Sequence, residues 1–147
     1  MTPPLSLLDP LLGRWRSSGV VLDRHGKPDG EIAGTDTYSI LPGGQWITHD
    51  VDVVVGAQHA LVHEVIGGSH PDGGWLMYAF DDSAEPGLTR LSMHDSELLL
   101  LEGDGIRSWF HIRAGPDHMT ARWERSDGSS WTTWMAMRFD TLGETET

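Results

Sequence analysis

The chain has 147 residues, 22 acidic against ten basic side chains, a formal net charge of −12 and no cysteine. That length fits one domain, which buries roughly two-thirds of its unfolded surface and needs no disulfide or metal staple. The acidic excess argues against a nucleic acid or an anionic membrane as partner. The lack of cysteine excludes a disulfide framework, a thiol nucleophile, a zinc–thiolate site and a cysteine-ligated iron–sulfur cluster.

Residues 1–4 lack the basic and apolar regions of a signal peptide. The longest aliphatic run, 98–101, falls far short of the roughly 20 residues of a spanning helix, so the expected location is the cytoplasm. A single domain is expected over 1–147, with 1–6 and 143–147 flexible. Ser6 is placed to cap a short helical segment whose Leu7, Leu8, Leu11 and Leu12 would plug one end of the fold. Dense turn signals follow, among them Lys27-Pro28-Asp29-Gly30, Leu41-Pro42-Gly43-Gly44, Pro71-Asp72-Gly73-Gly74 and Ser126-Asp127-Gly128. Between them lie strand-sized intervals rich in Val, Ile, Thr, Trp and Tyr: 15–23, 31–40, 45–55, 60–67, 75–81, 88–94, 97–102, 106–114, 119–125 and 131–139. Ten short hairpin-linked strands are too many for a flat sheet of this length. The expected class is all-β, a ten-stranded antiparallel up-and-down barrel that removes its own edges.

Gly13-Arg14-Trp15 opens the first strand, and the set continues through Leu41-Pro42-Gly43-Gly44, Glu64-Val65-Ile66-Gly67 and the run from Arg122-Trp123-Glu124-Arg125 to Ser130-Trp131. Together these resemble a family of small bacterial calycin-like proteins, in the superfamily of lipocalins, fatty-acid-binding proteins and nitrobindin-like haem proteins. The resemblance covers about 7–142. It implies a calycin-like barrel in which Trp15 closes the floor and Arg138 packs over it. It carries over no activity.

A ten-stranded barrel leaves room for a ligand, and strand alternation says which residues share a face. The Thr/Ser face of the second strand suits solvent, which sends Asp36 and Tyr38 inward. Ile47, His49, Val51 and Val53 form the inward face of the third strand. On the fourth, His63 and Glu64 must point opposite ways, and either face can be inside. The fifth strand is apolar on both faces, which suggests cover on both sides and a homodimer. The eighth sets Arg107, Trp109, His111 and Arg113 against Ser108, Phe110 and Ile112. The ninth splits Met119, Ala121 and Trp123 from Thr120, Arg122 and Glu124. The tenth puts Trp131 on one face with Met135, Met137 and Phe139, and Trp134 on the other.

A mostly apolar cavity with a few convergent polar groups is the usual small-molecule site. The candidate ligand contacts are Tyr38, Trp46, Tyr78, Arg107, Trp109, His111 and Trp123. His49, Asp36 and Glu64 are the candidate acid or base groups, since burial in an apolar cavity shifts pKa values toward proton transfer. Structural roles stand beside these: His49 as a core histidine bonded to a carbonyl, and Glu64 paired with an arginine such as Arg107. Eight histidines raise the question of metal. His59 and His63, four apart on a strand, are about 13 Å from one another, too far for one ion, and no metal or cofactor is expected. The leading expectation is a barrel that binds a small, mostly apolar or aromatic molecule. The alternatives are a cyclase- or isomerase-type enzyme using the same cavity, and a haem-binding nitrobindin-like barrel, for which no motif here matches the proximal ligand. Seven tryptophans against three Phe and two Tyr sharpen the question: Trp46, Trp75, Trp109 and Trp123 need locating against the cavity.

Overall fold

A computed structural model describes residues 3–143, so residues 1–2 and 144–147 of the two expected flexible ends lie outside the described residues. After a 3-10 helix (Leu5–Leu11), ten strands follow: β1 (Gly13–Leu22), β2 (Pro28–Ile40), β3 (Trp46–Val55), β4 (Gln58–Gly67), β5 (Trp75–Phe80), β6 (Gly87–Met93), β7 (Leu98–Gly103), β8 (Ile106–His111), β9 (His118–Ser126) and β10 (Trp131–Thr141). Each pairs antiparallel with its neighbours in sequence, and β1 pairs with β10 to close the barrel. The turns form where Gly and Asp supply their special geometry. At β3–β4, Val55 pairs with Gln58 across a two-residue turn whose first residue, Gly56, has φ 62°. At β9–β10, Asp127 Oδ1 accepts the backbone N–H groups of Ser129 and Ser130, both at 2.9 Å.

The N-terminal helix seals one end. Leu8 and Leu11 are buried against Ile47, Ile66, Trp75, Leu99 and Met119. Ser6 does not cap it: the capping position is Pro4, with no side-chain bond, and Ser6 lies within the helix. Trp15 does sit at this floor, and its Nε1–H donates to Leu11 O at 2.8 Å, tying plug to barrel. Arg138 does not pack over Trp15; its guanidinium is exposed and paired with Asp140. No helix among the described residues is long and apolar enough to cross a membrane.

Two places bend the sequence pattern. In β10 the register shifts between Thr133 and Met135, leaving Trp134 unpaired. This bulge turns Trp131 to the outer face, away from the Met135, Met137 and Phe139 row that the alternation had placed with it. At β2, Gly34 lets β3 close in: a Cβ there would lie 2.1 Å from Asp52 O and 2.6 Å from Val53 Cα. Gly34→Ala is therefore expected to cost about 1–3 kcal/mol by forcing β2 and β3 apart. A urea midpoint equal to wild type would refute that close approach.

Among the described residues nothing covers the outer face of β5 around Phe80. Leu61, Phe80 and Leu88 are 60%, 46% and 54% exposed, and Tyr78, paired with Leu88 and Val65, belongs to this face. Trp75 and Met77 take the inner one.

Candidate functional site

Above the sealed floor the barrel encloses a cavity of about 190 Å³, lined mainly by aliphatic, methionine and aromatic side chains of β2–β10. Its ionisable lining residues are Asp36, Tyr38, His49 and Glu64, all on the wall built by β2, β3 and β4. The cross-strand register makes this grouping. Tyr38 pairs with His49 across β2–β3, and His49 with Glu64 across β3–β4. The same hairpin register sets Asp50 opposite His63 on the outer face, where their side chains meet at 2.5 Å. The ambiguity of the fourth strand is thus resolved with Glu64 inside and His63 outside.

His49 is held at both ring nitrogens. Nε2 lies 2.6 Å from Asp36 Oδ1, and Nδ1 lies 2.5 Å from Glu64 Oε1. With both carboxyls ionised they only accept, so both ring nitrogens donate and the ring is an imidazolium. Burial opposes its charge, but the hydrogen bonds it donates to Asp36 and Glu64, and then their charges, outweigh burial and push its pKa from 6.5 up to about 9. Ser17, wholly buried on β1, donates its hydroxyl to Asp36 Oδ2. Tyr38 stacks on the imidazolium with ring centroids 3.8 Å apart and planes 11° from parallel. Desolvation first, then the charges of Asp36 and Glu64, push its phenol well above the ordinary value.

This arrangement fixes what the group can do. At neutral pH His49 has no free lone pair, so it cannot serve as a base or ligate a metal; it orients two carboxylates and offsets one of their charges. Asp36 has both oxygens engaged. Glu64 Oε1 is engaged, while Oε2 accepts no hydrogen bond among the described residues. Glu64 is the acceptor that remains for a molecule in the cavity.

Of the expected site residues, Asp36, Tyr38, His49, Glu64 and Trp123 line the cavity; Trp46, Tyr78, Arg107, Trp109 and His111 do not. Trp46 alternates outward from Ile47 and lies over Gly67 and Gly68, where an added Cβ would meet its ring. Arg107, Trp109 and His111 alternate with Ser108, Phe110 and Ile112, and the latter three are buried. The first three form an outer strip instead. Arg107 lies 4.1 Å from the Trp131 ring centroid and 5.6 Å from that of Trp109. Glu124 Oε1 accepts from Arg107 Nε and Trp109 Nε1, both at 2.8 Å. Desolvation raises the Glu124 carboxyl, but these bonds outweigh it and hold the carboxyl below its ordinary value. Glu64 therefore does not pair with Arg107. Of the four tryptophans in question only Trp123 lines the cavity, with Trp75 buried beside the floor.

Alternation with Trp15 places Ser17 inside, but no residue pattern marks it as a partner of Asp36. Ser108, also wholly buried, has no hydrogen-bond partner for its hydroxyl among the described residues; its cross-strand neighbours Leu101 and Trp123 both line the cavity. Compared with known protein families the chain matches none, and no curated protein matches it.

Proposed function

We propose that this barrel binds a small, mostly apolar molecule in its cavity, with the Glu64 carboxylate as the polar anchor. The observation that carries the reading is the cavity itself: about 190 Å³ of apolar space with its ionisable groups gathered on one wall. A dry cavity of about 150 Å³ takes a benzene ring, so this space suits one aromatic ring or a short aliphatic chain. We also keep the calycin-like assignment as a proposal, supported by the closed ten-stranded up-and-down barrel and by Trp15 at its floor.

Toluene titrated into the protein is expected to quench Trp fluorescence saturably through Trp123, and Val53→Phe, which fills the cavity, should abolish the response. Absence of a saturable change would remove the reading.

A second reading rests on Glu64 Oε2. A carboxylate without a proton donor in an apolar cavity is suited to remove a proton beside a carbonyl and return it elsewhere, as an isomerase does. Glu64 would be the base, Asp36 and His49 its positioning partners. The haem reading does not fit the residues. His49 is the histidine of the lining, and both of its nitrogens face carboxylates. The cavity is also far smaller than a porphyrin.

A further inference from the structure

We infer that the molecule this cavity takes carries a cationic nitrogen: a small alkyl- or arylamine, bound as its ammonium with an N–H on Glu64 Oε2. This deepens the small-molecule reading above and rests on it.

The charge of the cluster favours a cation. The cluster holds two carboxylates and one imidazolium, and the lining contains neither Lys nor Arg. Asp36 and His49 are 5% and 7% exposed. Glu64 faces the cavity with its side chain 15% exposed, so one negative charge of the cluster is left without a counter-charge beside a mostly apolar lining, where an unpaired ion is disfavoured. An ammonium ion restores neutrality; a neutral molecule leaves the deficit, and an anion doubles it.

The hydrogen bonds of the cluster favour a donor. Ionised carboxylates only accept. Asp36 receives Ser17 and His49, and Glu64 Oε1 receives His49, which leaves Glu64 Oε2 without a donor among the described residues. That oxygen is open to a donor that a ligand brings into the cavity. One carboxylate oxygen in an apolar wall does not suit a metal ion: hard cations take six or more oxygens. An organic ammonium needs only a few acceptors and places its hydrocarbon against the rest of the lining.

The way into the barrel also favours a cation. The helix closes one end, so entry is by the other, where the β1–β2, β5–β6, β7–β8 and β9–β10 turns lie. Those turns carry Asp23, Asp81, Asp82, Glu85, Asp104 and Asp127 against Arg24 and Lys27. An acidic rim raises the local concentration of cations and repels anions.

The test is a matched series at pH 7: benzylamine, benzyl alcohol, toluene and benzoate, each titrated by calorimetry against the full-length protein. Benzylamine is expected to bind at least about tenfold more tightly than toluene or benzyl alcohol, and benzoate most weakly. Glu64→Gln should bring benzylamine to within about twofold of benzyl alcohol. If toluene binds and benzylamine binds no better, the amine inference falls while the small-molecule reading stands. If none of the four binds, both fall. The wild-type ranking decides the matter alone if Glu64→Gln does not fold.

Discussion

Replacing His49 with alanine is expected to lower the unfolding free energy at pH 7 by about 3–5 kcal/mol, the usual cost of breaking a buried ion pair by removing one member. The size follows from what is left behind. In wild type the imidazolium stands between Asp36 and Glu64 at 2.6 and 2.5 Å. In His49→Ala two carboxylates share one mostly apolar cavity with no cation, and among the described residues Ser17 is the donor that remains to them. A domain of this kind has about 5–15 kcal/mol in total, so the variant should unfold at much lower urea. Adding Asp36→Asn and Glu64→Gln removes both charges and should recover most of the loss, because buried ionic groups replaced as a set are often neutral in effect. A single variant within about 1 kcal/mol of wild type, or a triple variant no better than the single, would show that the cluster is not a compensated ionic unit.

The same comparison shows what the sequence makes legible. Strand number and closure follow from turn spacing, because Gly, Pro and Asp act locally. The inward placement of Asp36, Tyr38 and His49 follows from alternation on strands whose other face is plainly polar. Glu64 was ambiguous because β4 offers an ionisable group on each face. The resolving signal lies in the hairpin: a two-residue turn at Gly56-Ala57 sets His49 opposite Glu64 and Asp50 opposite His63, and reading that turn as a longer loop hides it. β8 misled for a different reason. Arg107 and Trp109 form an outer aromatic–guanidinium stack with Trp131, so a Trp-bearing face lies outside and a Ser-bearing face inside. Trp131 reaches that stack only through the β10 bulge, which no local residue pattern announces. The closure of the cluster is likewise a matter of three-strand register, not of any motif.

Stability is expected to fall as pH rises above neutrality, opposite to the behaviour of a fold that loses paired carboxylates in acid. The His49 pKa is 6.5 in the open chain and about 9 in the barrel. Below 6.5 both states hold the proton, and the stabilisation from Asp36 and Glu64 is fully present. Between 6.5 and 9 the unfolded chain has released its proton while the folded one keeps it, so the folded state binds more protons and ΔG of unfolding declines with pH. The full span corresponds to ~3 kcal/mol. The Tyr38 phenol, raised above its ordinary value, stays protonated in both states across this window and does not contribute to the slope. Urea unfolding at intervals from pH 6 to pH 9.5 should trace the decline. The Asp36→Asn, Glu64→Gln, His49→Ala variant should show a much flatter profile over the same range. In the folded wild type, the His49 ring proton followed by NMR should titrate near 9; a midpoint near 6.5 would mean the two carboxylates do not hold the imidazolium, and the charge argument for an ammonium ligand would lose its first premise.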